Sequence, residues 1–204
     1  MKFLRQWMAM AAVVAVACGA LAQTRAAPAG GGGDASIGGV KMPQLSGNAT
    51  RARTPSFAGG GVKEWGVFDV EFDSAQEWTD VNVNFMLFME NPKDAEKPFS
   101  FFKVSARYPD VERGRRKKVG AVLSPEGLKR FGNVIGFGVE FVVGGKVVAS
   151  GQVESGVLKG KEKWWDDQQI VGSPKTVRRD GYFMKRGDTP FAYVNTDEYE
   201  MSGK

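Results

Sequence analysis

Three groups of side chains in this sequence have the types and the spacing to do chemistry. Asp69, Glu71 and Asp73 recur at every second position, and Asp80 follows soon after. On a strand that spacing puts carboxylates on one face, where they could take calcium or simply face water. Arg113-Gly114-Arg115-Arg116-Lys117-Lys118 brings five cations into six residues. Such a run could meet lipid phosphates, an acidic glycan or an acidic protein patch, or it could stand as a solvated loop. It lacks the interleaved aromatics that stack on single-stranded nucleic acid, so no nucleic-acid partner is expected. Trp164-Trp165 stands beside Asp166-Asp167. Neighbours in a strand face opposite ways, so one indole can be core while the other is exposed to stack on a sugar or anchor a partner protein. In the plainer reading one is core and the other rests on the glycine-rich segment that precedes the domain.

The missing residue types narrow the chemistry further. The sequence has no histidine, which removes the usual general base, metal ligand and pH switch. Its one cysteine, Cys18, lies in the apolar N-terminal run, so the folded part has no disulfide, thiolate zinc site or cysteine nucleophile. No G-x-S-x-G elbow or phosphate loop occurs. Glu64 and Glu77 are the carboxylates left for an acid/base pair, and nothing in the sequence brings them together. The expectation is a protein that is not an enzyme, with no cofactor and no catalytic or metal residues.

The elements that position these groups are strands. In Val81–Met89, Val81, Val83, Phe85, Leu87 and Met89 share one face, with Asn82 and Asn84 on the other. A charged loop with two prolines follows, and Phe102, Val104, Ala106 and Tyr108 alternate on the return. Val62–Phe72 alternates ahead of this pair. The basic run reads as a loop before a short strand, Val119–Leu123. Ser124-Pro125-Glu126 is a helix start, with a serine cap, proline in the first turn and an early acid; Gly132 can stop the helix after a turn or two. Phe137–Val143 and Lys146–Val153 flank Gly144-Gly145, whose positive φ suits a two-residue hairpin turn. Val157–Trp165, Ile170–Arg179, Tyr182–Lys185 and Pro190–Val194 read as further strands. Eight or nine short strands with regular turns predict an all-β, antiparallel sandwich with one short helix. A barrel is the alternative.

The chain has 204 residues, 42% hydrophobic and 25% charged, which are globular values. Lys2 and Arg5 precede a short apolar run, and Ala20-Leu21-Ala22 resembles a cleavage site. Residues 1–22 therefore read as a signal peptide. Of the formal +5, Lys2 and Arg5 supply two, which leaves +3 on the mature chain. Ala15-Val16-Ala17-Cys18 also resembles a lipobox, which would put a lipid on Cys18. Residues 23–61 are rich in glycine and read as a flexible tether, within which Ile37–Leu45 could add an edge strand. Residues 62–204 form the expected domain.

Leu123-Ser124-Pro125-Glu126-Gly127-Leu128, the Gly144-Gly145 hairpin, and Thr189-Pro190-Phe191-Ala192 followed by Tyr199-Glu200 resemble small exported envelope proteins of Verrucomicrobia. Those proteins are associated with type IV pilus-like gene clusters. The resemblance spans roughly Val62–Lys204. It implies an immunoglobulin-like sandwich with a structural or adaptor part in pilus-like assembly, in the periplasm or at the outer membrane and cell surface. Its partners would be envelope or pilus-like machinery proteins. The membrane itself would be a partner only through a lipidated Cys18. The candidate contact residues are Arg113, Arg115, Arg116, Lys117, Lys118, Trp164 and Trp165. The alternative is a carbohydrate-binding module that presents an exposed tryptophan to glycans.

Overall fold

The computed structural model describes residues 40–41, 49–59, 61–200 and 202–203. The expected signal peptide, Cys18 and most of the glycine-rich segment lie outside the described residues. The strands are β1 (Val40–Lys41), β2 (Thr50–Arg53), β3 (Glu64–Ser74), β4 (Trp78–Glu90), β5 (Phe99–Val111), β6 (Gly114–Leu123), β7 (Asn133–Val143), β8 (Lys146–Glu154), β9 (Thr176–Arg178) and β10 (Phe183–Lys185). Two short helices join them, α1 (Pro125–Arg130) and α2 (Gln168–Val171).

Two five-stranded sheets result. The first, sheet A, runs β1-β3-β6-β10, with β2 also on β3; the second, sheet B, runs β8-β7-β4-β5-β9. Every pairing is antiparallel except β5 with β9. The chain changes sheet between β3 and β4, between β5 and β6, through α1 into β7, and between β9 and β10. The two sheets therefore face each other across one core, as in a sandwich.

The alternation seen in the sequence fills that core. Phe68, Val70 and Phe72 of β3 meet Phe137, Val139 and Phe141 of β7 and the inward residues of β4. Phe68 lies 5.0 Å from Phe137 and Phe72 lies 4.9 Å from Phe141, between ring centroids. α1 starts as its sequence predicts, with Ser124 Oγ accepting from the Gly127 amide at 3.1 Å. Gly132 follows with φ +80°, and a Cβ there would collide with the Glu90 carbonyl oxygen. Only glycine suits both demands.

Six expectations change. Two short helices stand where one was expected, and of Ile170–Arg179 only Thr176–Arg178 is a strand, because Ile170 and Val171 belong to α2. β1 and β2 lie within the stretch read as a tether, β1 inside Ile37–Leu45, read as able to add an edge strand, and β2 outside it. Thr50–Arg53 pairs with Val67–Glu64 and Val40–Lys41 with Ser74–Asp73, so the sheet begins ahead of Val62. The basic run is a strand from Gly114 on: β6 pairs with β3, and Lys117 and Lys118 find partners in the C-terminal segment. Val157–Trp165 is not a strand but a 3-10 turn at Gly156–Leu158 followed by tight turns. Positive φ at Gly156, Gly160 and Lys163 breaks any extended run there. Pro190–Tyr193 is also a 3-10 turn, capped by Thr189, whose Oγ1 accepts from the Phe191 amide at 3.3 Å. Thr-Pro is a cap followed by a first-turn proline, a helix start rather than a strand.

Phe85 and Phe141 have 0% and 1% of their surface exposed. Truncating either to alanine should cost about 3–5 kcal/mol, a large part of the roughly 5–15 kcal/mol that holds such a domain together. Thermal melts of Phe85→Ala and Phe141→Ala check this; melting temperatures equal to the parent's would reverse the assignment of the strand faces.

Candidate functional site

Both tryptophans are buried, Trp164 completely and Trp165 with 6% exposure. They lie on the outer face of sheet B with Leu158, over two glycines of β7. A Cβ on Gly136 would strike Leu158 and come within 3.1 Å of the Trp164 ring, and a Cβ on Gly138 would strike the Trp165 ring. The two indoles meet edge to face at 5.3 Å. Trp164 also packs on Phe88 and Phe101. Trp165 Nε1 donates to Glu140 Oε1 at 3.1 Å, which satisfies that buried carboxylate in part. No indole face is left for a sugar, so the carbohydrate reading loses its contact residues. The expectation failed because the pair sits in a turn, where neighbours need not face opposite ways. Met86 and Phe88, on the face of β4 read as polar, help to form this second core. The sequence signal for it was present in the unbroken apolar run Phe85–Met89 and in two glycines within a strand, which mark a close approach.

The basic residues divide into two sets. Lys117 Nζ lies 2.5 Å from Glu200 Oε1, with both side chains largely buried, and Lys118 Nζ lies 2.7 Å from Glu198 Oε2. The backbone amide of Glu200 also donates to the Lys118 carbonyl at 2.9 Å, and the Gly203 amide donates to the Arg107 carbonyl at 2.7 Å. The C-terminal residues thus run along β6 beyond β10 and reach β5, closing the side of the sandwich between the two sheets. Arg113, Arg115 and Arg116 remain exposed and have no ion pair among the described residues. Arg115 and Arg116 together oppose the single residue Asp73 in a bulge of β6. Arg116 takes φ +55° there, and its amide donates to Asp73 Oδ1 at 2.9 Å. Glu77, Asp110 and Glu112 stand in the strand ends and turns at the same end of the sandwich, which offsets the charge of the three arginines.

The acidic ladder has a separate task at each step. Asp73 holds the bulge. Glu71 is the register partner of Lys118. Asp69 lies opposite Gly120, where a Cβ would come within 3.0 Å of Asp69 Oδ1 and 3.2 Å of the Phe68 carbonyl oxygen. Glycine at 120 therefore lets the carboxylate lie against β6. Buried Arg186 stacks 3.7 Å from the centroid of Tyr199 and donates to the Val194 carbonyl. Burial raises the pKa of Asp69; the Tyr199 hydroxyl, Arg186 and Lys118 pull it back, and Glu198 adds to the rise. Burial likewise raises the Tyr199 phenol, with the charge of Asp69 adding to it. Asp69 Oδ1 has no hydrogen-bond partner and no solvent access. Asp69, Tyr199, Arg186 and Lys118 make a clasp that joins the C-terminal segment to sheet A. Asp80 is engaged elsewhere, 2.5 Å from Arg107. Glu64 and Glu77 flank opposite ends of the 11-residue β3 and are not brought together. Among the described residues no group of three or more acidic, histidine or cysteine side chains is placed to hold a metal ion.

Because burial raises Asp69, folding favours its neutral form. The stability this lends is fully present below the ordinary value of 3.8 and is lost as pH rises through the value in the fold. Asparagine at 69 removes that dependence. Urea melts at about pH 3 and about pH 7 should show Asp69→Asn gaining on the parent as pH rises. A relative loss with rising pH would mean that attraction between ionised Asp69 and Arg186 outweighs burial.

Comparison with known proteins follows the same outline. A crystal structure of a protein from Akkermansia muciniphila is similar at 23% identity with a TM-score of 0.66, over 81% of this chain and 93% of that one. At that identity the likeness speaks for the fold. No curated protein matches the sequence. A family model matches residues 35–204, from ahead of β1 through both sheets to the C-terminal segment. The chain belongs to the family that this model describes.

Proposed function

We propose that this chain is an exported, non-enzymatic protein of the cell envelope, with a structural or adaptor role in type IV pilus-like assembly, built on an immunoglobulin-like sandwich. Strand order supports the last part. In the lettering of such domains, β2, β3 and β6 fall at A, B and E, and β8, β7, β4 and β5 fall at G, F, C and C′; the place beside E that D would take is filled by β10, which follows G in the chain. The observation that carries the functional reading is how the chemistry-bearing side chains are engaged. Lys117, Lys118, Asp69, Glu198 and Glu200 close the sandwich, and Trp164 and Trp165 fill a second core. Such a body is suited to hold partners rather than to turn over a substrate. The pilus-like setting rests on the motifs around Ser124-Pro125, Gly144-Gly145 and Thr189-Pro190.

Arg113, Arg115 and Arg116 are the contact residues of this reading, because Lys117 and Lys118 already have partners within the chain. Guanidinium forks on the bulge that opens β6 and on the turn before it suit carboxylates of a partner protein. A pull-down from detergent-solubilised envelope membranes, read by mass spectrometry, tests the assignment. The parent should capture envelope or pilus-like machinery proteins. Replacing the three arginines with alanine should leave the melt unchanged and weaken capture, most clearly at low salt. Equal capture by parent and variant would make the arginines no more than a solvated strand end.

A further inference from the structure

The second layer covers only one half of sheet B. Trp165 ends it, over Gly138, and from Glu140 on the outer face is bare. Two rows of side chains cross the bare half. Ser105, Asn84, Glu140 and Ser150 stand in register on β5, β4, β7 and β8, and Arg107, Asn82, Val142 and Val147 form the next row. All but Glu140 are exposed or half-buried, so nothing among the described residues lies over them. Amides, hydroxyls and valines fill these rows. The charges are Arg107, which pairs with Asp80 at the β5 side, and Glu140. Few charges at the centre and more at the rim is the composition of a protein interface. A site for a small molecule is concave; this is an open sheet with one corner, where it meets the Trp165 ring.

Glu140 sits in that corner. It is 8% exposed, and its Oε1 accepts from the Trp165 indole. Its Oε2 accepts from no donor among the described residues, yet it is not sealed from solvent. Glu140 belongs to none of the ion pairs of the described residues. Lys103 and Arg107 stand two strands away on β5, about 10 Å across the sheet. The indole N–H needs only a neutral acceptor, which glutamine would supply. A carboxylate so far buried carries a desolvation cost that a cation from outside would offset. We infer that the bare half of sheet B docks a partner protein, which sets a lysine or arginine side chain against Glu140. This goes beyond the adaptor reading and uses none of its arginines.

Proton–nitrogen NMR of the full chain tests it, because the Trp165 indole N–H reports on Glu140 directly. The peptide N-acetyl-Gly-Lys-Gly-amide should shift that resonance saturably, together with the amides of Asn84, Glu140 and Ser150. The same peptide with glutamine in place of lysine should not. Glu140→Gln keeps an oxygen for the indole, so its melt should match the parent's while peptide binding falls about tenfold or more. Ser150→Lys supplies a cation from the neighbouring strand; it should raise the melting temperature and block the peptide. A parent without a saturable shift overturns the inference. So does binding that Glu140→Gln or Ser150→Lys leaves equal to the parent's. n-Butylammonium chloride completes the test: binding as tight as the peptide's would make Glu140 a site for free amines and overturn the docking surface.

Discussion

The fold depends on one strand that cannot face water on either side. From Phe85 to Met89, every side chain of β4 has 0% of its surface exposed. Phe85, Leu87 and Met89 point into the space between the sheets, while Met86 and Phe88 point the other way. An antiparallel sheet commonly leaves one face wet. Here that would leave a phenylalanine and a methionine at the centre of sheet B in solvent, so a second layer is required. Gly156–Val171 supplies it with Leu158, Trp164, Trp165 and Val171. The absence of side chains at Gly136 and Gly138 lets that layer lie flat on β7.

Sheet A is covered in the same spirit but by different means. Phe191 packs on Val67 and Val122 of its outer face and meets Trp65 edge to face at 5.9 Å. Below this small cluster the contact becomes ionic. Desolvating charges costs nearly as much as pairing them returns, so the largely buried Lys117–Glu200 pair adds little net stability. Its effect is on register: a misplaced C-terminal segment would leave Lys117, Glu200 and Arg186 desolvated without partners. The cations of β6 and the acids near the C-terminus are thus matched parts of one closure, which also seals the side between β5 and β6.

Much of the inner core was legible in the sequence, because one period dominates it. Period-two alternation marks β3, β4, β5 and β7, the Gly144-Gly145 turn marks the β7–β8 hairpin, and Ser124-Pro125-Glu126 marks α1. The outer layers were less legible: the run Phe85–Met89 and two strand glycines signal that sheet B is covered, but not which residues cover it, and the reasons are physical. Residues that cover a sheet face answer to that face rather than to any period of their own, so Trp164-Trp165 looked like a strand. The basic run of β6 looked like a loop because its partners Glu198 and Glu200 lie about eighty residues away. β1 falls within Ile37–Leu45, read from the sequence as able to add an edge strand; β2 was hidden by its setting, a short strand stabilised by the edge of β3 and not by its own composition.

The most direct test of this account is the stability of Trp164→Ala, measured by thermal and urea melts. If the indole belongs to a second core that β4 requires, the variant should lose about 3–5 kcal/mol. Gly138→Ala should also be destabilised, since its new Cβ has no room beside Trp165. A Trp164→Ala protein that melts with the parent would contradict the account, and would mean that the outer layer is a detachable surface rather than part of the fold.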